Sequence, residues 1–210
     1  MSTPDLPLRM QQLKLYGMAS QWPELLAKMR LHAMDPEHWM AELLQAESAE
    51  RQVRAQANQM KAARFPVHRD LLGFDFNATA VDRGLVERLH EGDFVHTAQN
   101  VVLVGGPGTG KTHLATALGH TAIRRRLTVM FARADKLFTR LRAARLDNTL
   151  DAEIRRLTTI DLLIVDDFAV RPLDPTQTSD FYEIVVERHR KASTIWVSNR
   201  EPSEWLTMTT

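Results

Sequence analysis

The chain has 210 residues, of which 44% are hydrophobic and 25% charged, with a formal net charge of +1 and no cysteine. This leaves room for one domain of ordinary size and a smaller appendage, and it excludes disulfides, thiolate-bound zinc and thiol catalysis. No apolar run approaches the ~18 residues of a membrane-spanning helix, and the N-terminus lacks the apolar core of a secretory signal, so a cytoplasmic location with no membrane partner is expected.

Residues 1–65 read as helical. Leu6, Leu8, Met10, Leu13, Leu15 and Met18 suit a short first helix, and Pro23 is placed for the first turn of a second one carrying Leu25, Leu26 and Met29. Asp35-Pro36-Glu37-His38 is a start signal for a third, with Asp as N-cap, Pro at the first position and an acid in the first turn. Trp39, Met40, Leu43 and Leu44 repeat at helical spacing, helical character persists to about Ala63, and Pro66 ends it. Trp22, Trp39 and the methionines are expected to pack the helices together rather than to form a ligand box.

From Arg51 to Arg69 the chain carries Arg51, Arg54, Lys61, Arg64 and Arg69 with no acid. Further basic clusters are Arg124-Arg125-Arg126, the set Arg140, Arg142 and Arg145, and Arg188 with Arg190 and Lys191. Any one cluster reads as a solvated face, but several in one chain point to a polyanionic partner. The later half of the third helix either projects toward such a partner or is merely solvated.

Residues 66–97 read as a connector holding the aromatic pair Phe74 and Phe76 and a short helix from Val81 to His90. Residues 98–210 alternate. Strands are expected near 100–104, 128–132, 160–166 and 194–198, with helices near 111–123, 135–145, 150–158 and 176–191. That order predicts an α/β unit, a parallel sheet with flanking helices on both faces.

Between the first strand and its helix lies Gly105-Gly106-Pro107-Gly108-Thr109-Gly110-Lys111-Thr112, a Walker A sequence, followed by His113. Such a loop aims successive backbone N–H groups at phosphate oxygens where a helix begins. Lys111 supplies a charge for the β and γ phosphates, and the Thr112 hydroxyl is a ligand for Mg2+. A bound nucleotide is therefore expected.

The run Asp161-Leu162-Leu163-Ile164-Val165-Asp166-Asp167 reads as a buried parallel strand with acids at its carboxyl end, where ligands of open α/β sheets bind. Asp166 is placed as the Walker B acid that holds Mg2+, and Asp167 as the group that orients and deprotonates a water. Asn199, at the tip of the last strand, fits two roles: contact with the γ-phosphate, or a chain turn before Glu201-Pro202.

Together the Walker A loop, the Leu-Leu-Ile-Val-Asp-Asp-Phe run and Ser198-Asn199-Arg200 resemble an AAA+ ATPase. Within that class the chain is similar to IstB-like transposition helper ATPases, relatives of DnaC-like helicase loaders. Leu13-Lys14-Leu15-Tyr16-Gly17-Met18, Ala63-Arg64-Phe65-Pro66 and Ser203-Glu204-Trp205 extend the similarity along the whole chain.

The resemblance implies a P-loop AAA+ parallel sheet preceded by a small all-helical N-terminal domain. It also implies an oligomer that assembles on target duplex DNA under control of ATP and Mg2+ and recruits or activates a partner transposase. Asn199 becomes the sensor, and Arg51, Arg54, Lys61, Arg64, Arg124, Arg125 and Arg126 are expected at DNA phosphates.

Two departures bear on activity. Related ATPases often carry Glu where this chain has Asp167, one methylene shorter. The family also continues into a final strand, an arginine finger and a lid, whereas this sequence stops at Thr210, so weak ATP turnover is expected. A helicase loader shares all these motifs. A small-molecule P-loop kinase shares only the first, and the Asp-Asp pair, the helical N-terminus and the basic clusters count against it. A nucleotide-binding interaction module without useful turnover is the remaining reading.

Overall fold

The computed structural model describes residues 5–31 and 35–208; the outermost residues of the expected segments, 1–4 and 209–210, lie outside these. The chain divides into two compact units, Met1–Asn58 and Gln59–Thr210.

The first unit contains α1 (Leu6–Gln12), α2 (Tyr16–Leu31) and most of α3 (Pro36–Ala63). Asp5 caps α1 by accepting the Leu8 N–H, and Asp35 caps α3 by accepting the Glu37 N–H at 3.3 Å. Met18, Leu25 and Leu43 form the core, with Met10, Leu15, Trp22, Met29 and Trp39 packed around them.

Helix α2 begins at Tyr16 and not beside Pro23, which lies inside it. The cause is a cap from outside the helix. The Glu47 carboxylate, buried on α3, accepts the N–H groups of Gly17 at 2.8 Å and Met18 at 3.3 Å. These are among the donors a helix start leaves without partners. The approach is close enough that a Cβ on Gly17 would press on the Ala46 carbonyl and lie 2.6 Å from the Glu47 Cα. Pro23, inside the helix, forgoes one ladder bond.

Burial pushes the Glu47 carboxyl up, but the Arg51 guanidinium and the Met18 and Gly17 amides outweigh it and hold it below the usual carboxylate range. A lowered acid contributes stability that is present above its ordinary range and lost as pH falls through its folded value. Glu47→Ala should therefore destabilise this unit by about 1–3 kcal/mol at neutral pH, with faster hydrogen exchange at the Gly17 and Met18 amides. The difference should close as the medium becomes strongly acidic.

The second unit begins with the end of α3 and runs through two 3-10 turns, Leu71–Gly73 and Phe76–Ala78, to α4 (Arg83–His90) and α5 (Asp93–His96). Then come β1 (Val101–Val104), α6 (Lys111–Arg124), β2 (Val129–Arg133), α7 (Ala134–Leu146), α8 (Leu150–Thr159), β3 (Leu162–Phe168), α9 (Pro175–Arg188), β4 (Ser193–Ser198) and α10 (Pro202–Trp205). The four strands are all parallel, in the order β1-β4-β3-β2.

Both faces of the sheet are covered, which is why β3 reads as an unbroken apolar run. Leu162 and Ile164 face a core with Ala115, Leu118 and Ile123 of α6. Leu163 and Val165 face the opposite core, with Leu137 and Leu141 of α7, Leu157 of α8 and Ile184 of α9. Residues alternate between the two layers as strand geometry requires. No helix among the described residues is long and apolar enough to cross a membrane.

One member of a basic cluster does not lie on the surface, although its neighbours Arg190 and Lys191 do. Arg188 is 2% exposed. Its guanidinium donates to the carbonyls of Leu157 at 2.6 Å and Ile160 at 2.7 Å, to that of Ser193, and to the Thr194 hydroxyl. Burial lowers its pKa to about 10 against the pull of Asp161. The side chain satisfies the carboxyl end of α8 and the start of β4, so it is unavailable to an external anion.

Candidate nucleotide site

The sheet order puts β4 between β1 and β3, so the expected site residues emerge from neighbouring strand ends. The phosphate-binding loop follows β1, Asn199 follows β4, and Asp166 and Asp167 lie near the end of β3.

The loop turns through Gly108 at φ +77 and Gly110 at φ +87. At Gly110 a side chain is excluded twice: by the left-handed backbone and by Phe74, whose ring would lie 2.5 Å from an added Cβ. Phe74 is buried with Val86 and Leu114. The connector thus braces the loop from below. Gly106, Pro107, Gly108 and Thr109 are exposed at its crest. The Lys111 ammonium folds back to donate to the Gly106 carbonyl at 2.7 Å, and the Thr109 hydroxyl donates to that carbonyl at 2.9 Å. Burial lowers the Lys111 pKa, opposed by the charges of Asp166 and Asp167.

Thr112 meets the strand acid directly. Its hydroxyl lies 3.0 Å from Asp166 Oδ2 and 3.2 Å from Oδ1, across 54 residues of sequence. Asp166 is 6% exposed. Burial raises its carboxyl pKa, the Thr112 bond opposes this, and the Asp167 charge adds to the rise. A hydroxyl and a carboxylate converging in one recess are hard oxygen donors of the kind Mg2+ takes, and the donor set fits that ion.

Asp167 and its neighbours depart from regular strand geometry. Val165 pairs with Trp196 and Phe168 with Ser198, so Asp166 and Asp167 together oppose the single residue Val197. This is a β-bulge, a device that re-aims side chains. Asp167 sits at φ +55 and is exposed. Its carboxylate pairs with Arg133 at the end of β2, Nε to Oδ2 at 3.3 Å; Arg133 also lies 3.4 Å from Asp135. Asn199, the first residue after β4, is exposed.

The remaining expected residues divide by their contacts. The His113 ring turns away from the loop: its Nε2 lies 2.8 Å from the Asp70 carbonyl and its ring meets Phe74 edge-on. Arg51 pairs with Glu47 and Arg54 with Glu50, each at 2.7 Å. Arg124 holds Asp70 at 3.2 Å and Arg125 lies 4.0 Å from Asp93. Lys61, Arg64 and Arg126 are exposed.

Sequence reasoning did not find Arg133 or the bracing role of Phe74. The Phe74–Phe76 pair was visible, but nothing local tied it to Gly110, and Arg133 carries no motif.

A model of the IstB-like ATP binding protein family matches residues 8–209. An ATP-binding protein of insertion sequence IS21 from Pseudomonas aeruginosa is 31% identical over 202 residues, covering 96% of this chain and 76% of that relative. Among solved structures, AMPPCP-bound DnaA from Aquifex aeolicus aligns with a TM-score of 0.58 at 22% identity over 66% of this chain, and this chain spans only 44% of that one. DnaI aligns with the same TM-score, 0.58, at 21% identity over 72% of this chain and 80% of its own. These two structures share the P-loop AAA+ fold with this chain.

A raised acid contributes stability that is present below its ordinary range and lost as pH rises through its folded value. Ionised Asp166 therefore costs stability at neutral pH. Asp166→Asn should raise the thermal midpoint at pH 7. The gain should vanish near pH 3–4, where an ordinary Asp is already half protonated. Scanning calorimetry across that range checks it.

Proposed function

The chain belongs to the IstB-like ATP binding protein family, and from that membership we propose that it is an ATP-hydrolysing helper that assembles on target duplex DNA and recruits or activates a transposase. The observation that carries the hydrolytic part is the Thr112–Asp166 contact, which joins the two halves of a nucleotide site in one recess.

In this reading the N–H groups from Gly105 to Thr112 hold the phosphates at the start of α6. Lys111 leaves the Gly106 carbonyl for the β and γ oxygens. Thr112 and Asp166 hold Mg2+, which when bound neutralises charge on those oxygens. Asp167 accepts the proton of a water as that water attacks the γ-phosphorus, and the bond from the γ-phosphorus to the β–γ bridging oxygen breaks. Asn199 donates to the γ-phosphate. With Asp in place of a longer acid, the water is held less closely and turnover is slow.

ATP acts as an assembly switch: contacts to its γ-phosphate from a neighbouring copy favour the oligomer, and hydrolysis releases it. A transposase as partner is supported by relatives that are ATP-binding proteins of insertion sequences. Exposed Lys61, Arg64 and Arg126 support a DNA backbone contact that positions the protein without reading sequence.

Two experiments test this. Lys111→Ala should weaken ATP binding about 10-fold or more, whereas Asp167→Ala should bind ATP normally and turn it over at least about 100-fold more slowly. Equal loss of affinity in both would remove Asp167 from its role. Replacing Lys61, Arg64 and Arg126 by Ala should reduce the slope of log K against log salt for duplex DNA by about 0.9 per lost phosphate contact. An unchanged slope returns these residues to a solvated surface.

A further inference from the structure

Between the two ends of the nucleotide site lies a buried hydroxyl that the roles above do not use. Ser198 closes β4 and is the register partner of two residues at once: Val104, the last residue before Gly105, and Phe168, the first after Asp167. Its side chain is 1% exposed. The hydroxyl donates to the Phe168 carbonyl at 2.8 Å and accepts the Arg200 N–H at 3.0 Å.

A serine hydroxyl has one proton to give and lone pairs to accept with, and here it spends both on backbone. The Phe168 bond fastens the downstream end of the bulge, where Asp167 and Ala169 both take φ +55. A left-handed conformation is strained for a non-glycine residue, so the bulge needs an anchor on its far side. The Arg200 bond folds the chain back across Asn199, fixing the residue between the two anchored positions. A wall of aromatic rings backs this arrangement. Phe168 packs against Phe181, Trp196 and Trp205, each at 4.8 Å, and the Trp205 indole N–H donates to the Arg200 carbonyl at 3.2 Å.

We infer that Ser198 is the positioning residue that sets Asp167 and Asn199 together, by tying the β3 bulge and the chain after β4 to one hydroxyl beside the last residue before the phosphate loop. The inference rests on the reading that Asp167 and Asn199 serve ATP hydrolysis. It assigns Ser198 no contact with nucleotide. Loss of the hydroxyl leaves the Thr112–Asp166 pair and the phosphate loop intact, so binding and turnover separate.

The test compares the full chain with Ser198→Ala, Ser198→Thr and, as a packing control at a buried position of the same strand away from the bulge, Ile195→Ala. Affinity is read with a fluorescent ATP analogue, turnover by phosphate release, and folding by thermal midpoint. Ser198→Ala should lower kcat about 10–100-fold, the scale of a misplaced catalytic group, while the dissociation constant stays within about threefold. Ser198→Thr, which keeps the hydroxyl, should restore most of the loss. Ile195→Ala should lower the thermal midpoint while keeping kcat.

Unchanged kcat in Ser198→Ala, or an equal fall of kcat in Ile195→Ala, would overturn the positioning role. Crystal structures decide it independently of turnover. Asp167 should leave the left-handed region and Asn199 should shift in the Ala variant, and both should hold in the Thr variant. An Ala variant with both residues in place would end the proposal. An unmodified chain that binds ATP but never hydrolyses it, with that shift present in the Ala variant, would instead sink the hydrolytic reading alone.

Discussion

The bond from Thr112 to Asp166 is the contact around which the larger unit is arranged. It spans 54 residues, and neither partner can reach the other unless a helix start and a strand end are held at one edge of the sheet. Parallel strands place all their carboxyl ends on the same side, so the sheet supplies the edge. The two core layers supply the rigidity. Leu118 and Ile123 clamp α6 to Ile164, while Leu141 and Leu157 hold the opposite face at Leu163 and Val165. A buried carboxylate is costly, and the cost falls where that contact needs it, on Asp166.

Buried charges elsewhere follow one pattern. Glu47, Arg188 and Asp180 are each nearly inaccessible, and each has partners that need a charge or a strong acceptor. Glu47 satisfies the start of a helix, Arg188 the end of another, and Asp180 receives Arg145 from α7. Helix termini leave donors and acceptors without partners, and a short polar residue at the cap position is the local remedy. For Glu47 and Arg188 a long side chain from another element does the same work. Such bonds join elements while they finish them, which a local cap does not.

That difference explains what could be read in the sequence and what could not. The strands were legible because a two-sided core forces continuous apolar runs, as in Leu162 to Val165. The loop was legible because phosphate binding demands glycine and lysine at fixed spacing. The start of α2 was not, since its cap stands 30 residues away on Glu47 and Pro23 offered a plausible local start instead. Arg188 read as surface because arginine usually is, and nothing beside it in sequence announces the carbonyls it serves. Adjacent Asp166 and Asp167 announced an acidic strand end, but only the pairing with β4 reveals that they share one position opposite Val197.

Phe74 beneath Gly110 has an evolutionary consequence. The ring fills the space that any side chain at 110 would need, while the connector takes its own place partly from that packing. A larger residue at 110 meets the ring, and a smaller one at 74 opens a void under the loop. The left-handed backbone at 110 bars a side chain even where the ring is gone, so neither change relieves the other and both positions are expected to stay as they are. In descendants of this chain, the connector and the phosphate loop are one heritable unit, although Phe74 and Gly110 lie 36 positions apart in the sequence.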